Sequence, residues 1–331
     1  MIRVAVIGAG MWAPRLVAAA GRAELDVVTC FARDRERAAR LGVPVADSFE
    51  AAIEDPRVQG VILATPNDVH AEQAIACAER GRHVFVEKPI ADTLEAGARI
   101  RDACVAAGVV LMVGHSFRRL GAARRVGEVV ASGRLGRVVL AEATFALPGK
   151  LGLQAWRAHR SRNPGGPLMQ LGIHHVDTLL GWLGPARRAT GVMAHVHTEA
   201  DIDDVGVATW EFEAGGIGVL TGSYVSPHTF AIRLQGTEAV LDYRADLGAV
   251  WPDAERVDEV SEILVGGEPL AFEPRDMLAE ELREWALATR GEAVVETGAT
   301  EGIAALRVIV ESAGADSIAS SLREHRDEDA R

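Results

Sequence analysis

The chain is short of cysteine, with three in 331 residues, and Cys30, Cys77 and Cys104 stand singly in apolar or helical stretches. An odd, unspaced set excludes a disulfide framework and a thiolate metal motif, so the thiols read as reduced core residues. Positive charge is also short. Against 47 Asp and Glu stand 35 Lys and Arg, a formal net charge of −12. That balance argues against a nucleic-acid partner or an anionic membrane surface. No apolar run reaches the ~18 residues that span a bilayer. No secretory leader precedes Ile2, which already belongs to a strand, so a cytoplasmic protein is expected. His195-x-His197, followed by Asp201, Asp203 and Asp204, puts two histidines on one face of a strand. Neither a cysteine ligand nor an H-E-x-x-H helix accompanies them, so no metal is expected.

What remains is ordinary globular composition, 48% hydrophobic and 25% charged, in a chain long enough for two domains. The stretch that organises it is the first fifteen residues. Arg3-Val4-Ala5-Val6-Ile7 has the β-branched, apolar composition of a buried parallel strand. Gly8-Ala9-Gly10-Met11-Trp12-Ala13 follows at once, and a helical stretch, Leu16 to Ala20, comes after. Strand, G-x-G-x-x-A, helix is the context of a dinucleotide-binding turn. Gly8 permits the tight turn, Gly10 lets backbone approach a pyrophosphate, and small Ala13 lets the helix pack on the strand. The diphosphate then meets unsatisfied N–H groups at the helix start.

The end of the second strand, Leu25 to Phe31, decides cofactor preference. An acidic residue there bonds the ribose 2′-hydroxyl of NAD, whereas a nearby Arg suits the 2′-phosphate of NADP. The sequence offers Ala32-Arg33-Asp34. Ala32 takes the strand-end slot with Arg33 beside it, which favours NADP. Asp34 as ribose ligand favours NAD, but an N-cap of the helix Arg35 to Leu41 also explains it.

Further strands are expected at Val43–Ala46, Val58–Thr65, His83–Glu87 and Val109–Val113, making six with the first two. Between them lie a helix opened by Asp47-x-x-Glu50, one ending at Gly81, and one from Leu94 to Gly108 preceded by Asp92 and Thr93. This alternation specifies a Rossmann-type, doubly wound parallel sheet whose ligands bind beyond the strands' carboxyl ends. Gly8–Ala13, Arg33, Thr65–His70, Glu87–Pro89 and Gly114–Arg119 all fall there.

Four motifs now stand in order: Gly8-x-Gly10-x-x-Ala13, Ala64-Thr65-Pro66-Asn67-x-x-His70, Glu87-Lys88-Pro89, and Gly165-Gly166-Pro167-Leu168-Met169-Gln170-Leu171-Gly172-Ile173-His174-His175-Val176-Asp177. With them the chain resembles the glucose-fructose oxidoreductase / inositol dehydrogenase / MocA (Gfo/Idh/MocA) family over most of its length. The resemblance implies an N-terminal Rossmann domain, residues 1–120. It also implies a C-terminal α+β domain, residues 121–331, on a large, mostly antiparallel open sheet. A homodimer or homotetramer assembled through that sheet, a nicotinamide cofactor, NAD or NADP, and a sugar, cyclitol or related polyol substrate follow from it.

Cofactor contacts are then expected from Gly8, Ala9, Gly10, Met11, Trp12, Ala32, Arg33, Ala64, Thr65, Pro66, Asn67, His70, Glu87, Lys88 and Pro89. Pro89 holds Lys88 extended and aims it toward the cofactor cleft. The family places this Lys between nicotinamide and substrate, often with a cis Lys–Pro bond. Glu87 serves the ribose or carboxamide side, or else a structural ion pair. His115 and Arg118 match a hinge that reaches the substrate in the family, though surface charges explain them equally.

The second half turns to long strands at Arg137–Leu147, Arg188–His197, Val205–Phe212, Gly216–Tyr224, Ala231–Gly236 and Glu238–Tyr243, separated by turns such as Ala214-Gly215-Gly216. Helices Asp276–Thr289 and Thr300–Ala319 complete the second domain, and the charged tail Arg323–Arg331 is expected to fray. If the stretch after Gly165 is helical, Gln170 and His174 share a face, with Asp177 three further on. The family has an Asp and then a His four residues later, so Gln170 occupies the Asp position. His174 suits general-base work on a hydroxyl. Gln170 cannot shuttle a proton but can orient a hydroxyl or His174. His175 reads as packing and Asp177 as an ion-pair or capping residue. Trp156 and Arg157, with His159 and Arg160, sit on a loop where Trp156 can stack on a sugar ring.

The leading expectation is thus an NAD(P)-dependent oxidoreductase with Lys88, His174 and Gln170 as its catalytic set. An NAD-dependent glycosidase, using transient oxidation, makes no net NAD(P)H. A non-catalytic dinucleotide- or sugar-sensing regulator has no need of Lys88 and His174.

Overall fold

The computed structural model describes residues 1–148 and 155–314. The tail Arg323–Arg331 and the last residues of the expected final helix lie outside them. By internal contacts the chain divides into one unit of Met1–Arg119 with Asp276–Ile303, and a second of Leu120–Arg275 with Ala304 onward.

The first unit is built on five parallel strands, β1 (Ile2–Ile7), β2 (Leu25–Phe31), β3 (Gly60–Leu63), β4 (His83–Glu87) and β5 (Leu111–Gly114), in the order β2-β1-β3-β4-β5. All four residues of β3, and Val4 to Ile7 of β1, are buried, as strands covered on both faces must be. The expected third strand, Val43–Ala46, contracts to one parallel bridge between Cys30 and Val45. Pro44 carries no N–H, so that segment cannot sustain a ladder. The helix after it, Phe49–Glu54, is capped by Ser48, whose hydroxyl accepts from Ala51 N at 3.0 Å, not by Asp47. Thr93 caps Leu94–Ala107, and Gly108 ends that helix in the left-handed region at φ 64°.

Placing the 276–289 helix in the second domain is corrected by its packing. Helix Met277–Thr289 lies on the parallel sheet because its buried Trp285 fills the space over Gly60. A Cβ at Gly60 would stand 2.8 Å from the indole, and Phe85 meets Trp285 edge-on with centroids 5.7 Å apart. Asp276 caps the helix and pairs with Arg22 at 2.7 Å. Arg119, almost wholly buried, forks onto Glu284 at 2.9 and 3.0 Å, with Glu281 and Glu296 each 4.0 Å from the guanidinium. Thr297 then exchanges hydrogen bonds with Val113 of β5, its backbone O accepting at 2.7 Å and its Oγ1 donating at 2.8 Å.

The second unit carries eight strands: β6 (Val138–Ala146), β7 (Ala186–Ala194), β8 (Val205–Phe212), β9 (Ile217–Ser223), β10 (Thr229–Gly236), β11 (Val240–Ala245), β12 (Ser261–Val265) and β13 (Glu268–Pro269). Their order is β13-β12-β11-β10-β6-β9-β8-β7, antiparallel except where β6 pairs with β9. β12 and β13 extend the sheet beyond the six strands expected from sequence. The inner face buries Phe145, Trp210, Leu220, Phe230, Ile232, Leu234 and Tyr243 beneath helices that include Ile173–Leu183. The opposite face alternates as an open sheet should. Val207 is 36% and Ile217 50% exposed there, beside half-buried Leu140 and Val192 and a row of threonines in which Thr144 and Thr221 bond at 2.8 Å. Among the described residues no helix is long and apolar enough to cross a membrane.

Candidate functional site

In the first unit the expected cofactor residues converge where the chain reverses between β1 and β3, the switch point of an open parallel sheet. Gly8 leaves β1 at φ 105°, and its N–H bonds Phe31 O at 2.8 Å. A side chain there is excluded twice over, since a Cβ would also stand 2.4 Å from Ala64 O. Gly10 is different: it is exposed, and the nearest protein atom to its would-be Cβ is Ala64 O at 4.0 Å. Nothing in the fold demands glycine at that position, whereas close approach of a ligand does. Helix Ala13–Ala20 starts directly afterwards with Pro14 in its first turn. Trp12 gives it no side-chain cap and its first turn holds no acid, so its leading N–H groups suit an anion. Beside it, exposed Met11 lends its carbonyl to Arg15 Nη1 at 2.7 Å, and Arg15 sits 5.5 Å over the Trp12 ring. These residues fit a dinucleotide diphosphate.

At the end of β2, Ala32 is half-buried and Arg33 exposed. Asp34 caps the helix Arg35–Ala39: its carboxylate accepts from Arg37 N at 3.0 Å and pairs with the Arg37 guanidinium at 3.1 Å. The carboxylate is therefore committed to its own helix.

Beyond β3 the half-buried Ala64, Thr65 and Pro66 lead into buried Asn67, whose Nδ2 finds no acceptor among the described residues. Thr65 Oγ1 bonds Gln73 at 2.6 Å. His70, expected among the cofactor contacts, has its ring inside the unit. It is fully buried, with Nδ1 3.0 Å from Pro89 O and Nε2 3.0 Å from Thr65 O. Burial pushes its pKa down, against the opposing pull of those carbonyls. The ring ties the ends of β3 and β4 together. Glu87 and Lys88 are half-buried at the end of β4, and the Lys88–Pro89 bond is cis. Past β5, His115 is buried and Arg118 reaches Glu296 at 3.9 Å with little exposure, so neither is a surface charge.

In the second unit the motif after Gly165 is helical, but its first turn is wide. Leu168–Gly172 is a π-turn that runs into the α-helix Ile173–Leu183. Two glycines make this possible. Gly166 sits at φ 47°, where a Cβ would strike Asp203 O at 2.5 Å, and Gly172 lies against Leu220. Gln170 and His174 are both buried, at 7% and 6% exposure. Their spacing of four stacks them along the element. His175 turns into the core: it lies against Phe230 and Phe145, at centroid separations of 4.6 and 5.3 Å, and its Nε2 donates to Thr144 O at 3.2 Å. Burial pushes its pKa down to about 4. Asp177 is buried as well.

Trp156 and Arg157 occupy a 3-10 turn, Ala155–Ala158. The expected sugar-stacking face of Trp156 has the Arg157 guanidinium 4.6 Å from its centroid and that of Arg162 at 6.0 Å, so cations already lie over the ring. His195 and His197 fall past the end of β7 instead of on it. There Asp204 accepts backbone N–H bonds from Val196, His197 and Thr198 at 2.7 to 2.9 Å and bends the chain out of the sheet. Burial opposes that charge, but the donors prevail and hold the carboxyl below its usual range. Among the described residues no cluster of three or more His, Cys, Asp or Glu could hold a metal.

Two family models match the chain. That of the oxidoreductase family with NAD-binding Rossmann fold covers residues 2–115, and that of the GFO/IDH/MocA C-terminal domain covers 123–242. The chain belongs to the Gfo/Idh/MocA family. It is accordingly an NAD(P)-dependent oxidoreductase. Among its relatives, 1,5-anhydro-D-fructose reductase of Ensifer adhaerens is 36% identical over 186 residues, 54% of this chain and 56% of the relative. D-xylose 1-dehydrogenase (NADP(+)) 2 of Haloferax volcanii is 29% identical over 91% of this chain and 93% of its own. A Desulfitobacterium hafniense protein described as an NADPH-dependent oxidoreductase superposes with a TM-score of 0.88 at 32% identity, covering 98% of this chain and 96% of that one.

One buried hydrogen-bond chain of this Gfo/Idh/MocA protein escaped the sequence. Asn163 and Tyr224 are both fully buried and are linked to Gln170. Gln170 Nε2 donates to Asn163 Oδ1 at 3.3 Å, Asn163 Nδ2 donates to Arg157 O at 3.2 Å and to the Tyr224 hydroxyl at 3.4 Å, and that hydroxyl donates to Gly166 O at 3.1 Å. Nothing in the spacing of an Asn and a Tyr so far apart signals such a chain.

Proposed function

We propose that the protein is an NADP-preferring dehydrogenase or reductase acting on a carbinol or ketone carbon of a sugar, cyclitol or related polyol. The observation that carries this reading is the strand-end arrangement around Gly10: an opened turn, an uncapped helix start, an exposed Arg33, and an Asp34 already spent on Arg37. The named reductase and dehydrogenase relatives support the substrate class, and two carry NADP(+) or NADPH in their descriptions.

When bound, the nicotinamide supplies or accepts the hydride. Gly8 to Trp12 hold the diphosphate at the helix start, and Ala32 and Arg33 receive the adenosine ribose and its 2′-phosphate. Ala64 to Asn67, Glu87 and Pro89 frame the rest of the cofactor. Lys88 and His174 handle the proton of the reacting hydroxyl, His174 through an imidazole that offers both a donor and an acceptor nitrogen. Gln170 is a neutral amide and binds without taking a proton. His115, Arg118 and Arg157 are assigned to substrate oxygens. A second copy of the chain covers the open sheet face around Val207 and Ile217, giving a dimer or tetramer. Three buried thiols suit a reducing, cytoplasmic setting.

The test is titration with NADPH and NADH, followed by nicotinamide absorbance assays over a panel of sugars and cyclitols. Tighter NADPH binding with net cofactor reduction by a polyol is the expected result. A preference for NADH would overturn the role of Arg33, and tight binding without net turnover would overturn the dehydrogenase reading.

A further inference from the structure

We infer that Asp258 is a positioning residue for the reaction. Its carboxylate holds the second unit's ends of two chain crossings between the units, and turnover depends on that hold while cofactor binding does not. The inference rests on the reading above, in which Lys88 of the first unit and His174 of the second serve one hydroxyl. The chain passes from one unit to the other at Arg119–Leu120, Arg275–Asp276 and Ile303–Ala304, the last inside the unbroken helix Ala299–Gly314. No helix or strand runs through the other two, and both meet Asp258.

Asp258 lies on the 3-10 stretch Ala254–Val260 and is 4% exposed. Its Oδ2 accepts from Gly121 N at 2.6 Å and from Arg275 N at 3.0 Å, and its Oδ1 accepts from Ala122 N at 3.2 Å. One oxygen thus bonds a residue just past the first crossing and the residue just before the second. The helix Gly121–Ala131 does lack a cap of its own, since Leu120 offers no side-chain acceptor and the first turn holds no acid. The bond to Arg275 N, however, lies outside that helix altogether, and a cap alone has no use for it. Packing enforces the same arrangement, because a Cβ on Gly121 would strike Glu273 O.

The first unit grips the far side of both crossings. Arg119 forks onto Glu284, and Asp276 accepts from Ala279 N at 3.0 Å and pairs with Arg22 at 2.7 Å. Between the two grips stands only Leu120 at the first crossing and no residue at the second. The slack in each crossing is therefore set by the grip of Asp258. Without it three N–H groups lose their acceptor, and the backbone torsions at Leu120, Gly121 and Arg275 are released. NADPH binding uses residues of the first unit alone and is untouched, whereas turnover needs groups of both units placed on one hydroxyl.

The test compares Asp258→Ala with Asp258→Asn in the full-length protein, each assayed well below its melting temperature. The amide oxygen of Asp258→Asn still accepts from Gly121 and Arg275 while its N–H2 faces Ala122 N, and Asp258→Ala accepts nothing. A positioning role predicts kcat down about tenfold or more in Asp258→Ala and within about threefold in Asp258→Asn, with NADPH affinity within about twofold in both, although both proteins melt lower. Equal loss of kcat in the two variants, or a fall in NADPH affinity that matches the fall in kcat, would overturn the inference. Amide hydrogen exchange gives a readout without substrate. Exchange should quicken at Gly121, Ala122 and Arg275 in Asp258→Ala, and at Ala122 alone in Asp258→Asn. Faster exchange confined to Gly121 and Ala122 in Asp258→Ala would reduce Asp258 to a helix cap and sink the inference even if the wild type oxidises polyols. A wild type inactive on every polyol would instead overturn the substrate reading, and the exchange pattern alone would then decide the hold on the crossings.

Discussion

Gly8 and Ala64 meet backbone to backbone across the β1–β3 switch point, so closely that a Cβ on Gly8 would stand 2.4 Å from the Ala64 carbonyl oxygen. Gly10, two residues on, has no such neighbour. The two glycines of the motif therefore answer to different constraints. Gly8→Ala should cost about 2 kcal/mol or more in stability, from a left-handed φ combined with a backbone clash. Gly10→Val should leave the melting temperature nearly unchanged and abolish NAD(P)H binding. Thermal melts and cofactor fluorescence titrations on the two variants check this, and equal destabilisation by both would refute the division of roles.

Arg33 and Asp34 are adjacent but unequal: the carboxylate is engaged by Arg37, whereas Arg33 is exposed. Arg33→Ala should weaken NADPH binding about tenfold or more, the scale of a charge-assisted contact to phosphate, and leave NADH affinity within about twofold. Equal loss for both cofactors would mean that Arg33 serves the fold or the diphosphate instead of the 2′-phosphate.

How much of this was legible beforehand follows from sequence distance. The β1 turn, the β3 and β4 ends and the Thr93 cap are local patterns, and each lies where the residues imply. Val43–Ala46 has strand composition but holds Pro44, so one missing N–H reduces it to a bridge. Helix Met277–Thr289 reads from sequence as part of the second half, because its anchors in the first unit are distant in sequence: Trp285 over Gly60, and Glu284 on Arg119. The Gly165–Asp177 motif announces Gln170 and His174, but not Asn163 or Tyr224, whose hydrogen bonds form only because the residue after β9, Tyr224, meets Asn163 and Gly166. His70 shows the opposite case. It belongs to a recognisable motif, yet its side chain is fully buried with a carbonyl beside each ring nitrogen, of which the neutral ring donates to one.

His175 gives a pH prediction. Burial lowers its pKa to about 4 in the folded protein, against about 6.5 in the unfolded chain. Between those values the unfolded state binds more protons, so stability is full above pH ~6.5 and falls as pH drops toward ~4. The integrated loss is about 3 kcal/mol for a fully buried ring. Urea unfolding at several pH values should show it, and His175→Phe should flatten that window. An unchanged pH slope in the variant would show that other groups govern acid stability.

The cysteines should be silent while the protein is folded. Burial pushes the Cys77 thiol up to about 12 and Cys104 to about 11, and raises Cys30 as well. Only the thiolate reacts, so at pH 8 a thiol-specific disulfide reagent should label none of the three within minutes and all three after denaturation. Rapid labelling of the native protein at any one of them would mean that its helix or strand opens readily.

Lys88 stands at the end of β4 with the carbonyl of its neighbour Pro89 held 3.0 Å from the buried His70 ring. A side chain fixed at its base by so constrained a backbone suits a task that depends on placement. Lys88→Ala should lower kcat by 10²-fold or more, the usual scale for a general acid–base group, while NADPH affinity stays within about threefold. Lys88→Arg should not restore turnover, because a guanidinium keeps its proton at any working pH. His174→Ala should cost a similar factor, and if the two residues act on one proton, the double variant should lose far less than the product of the single losses. Multiplicative losses would mean that the two groups serve separate steps. Loss of NADPH binding in Lys88→Ala, with the melt unchanged, would move Lys88 out of the chemistry and into the hold on the cofactor.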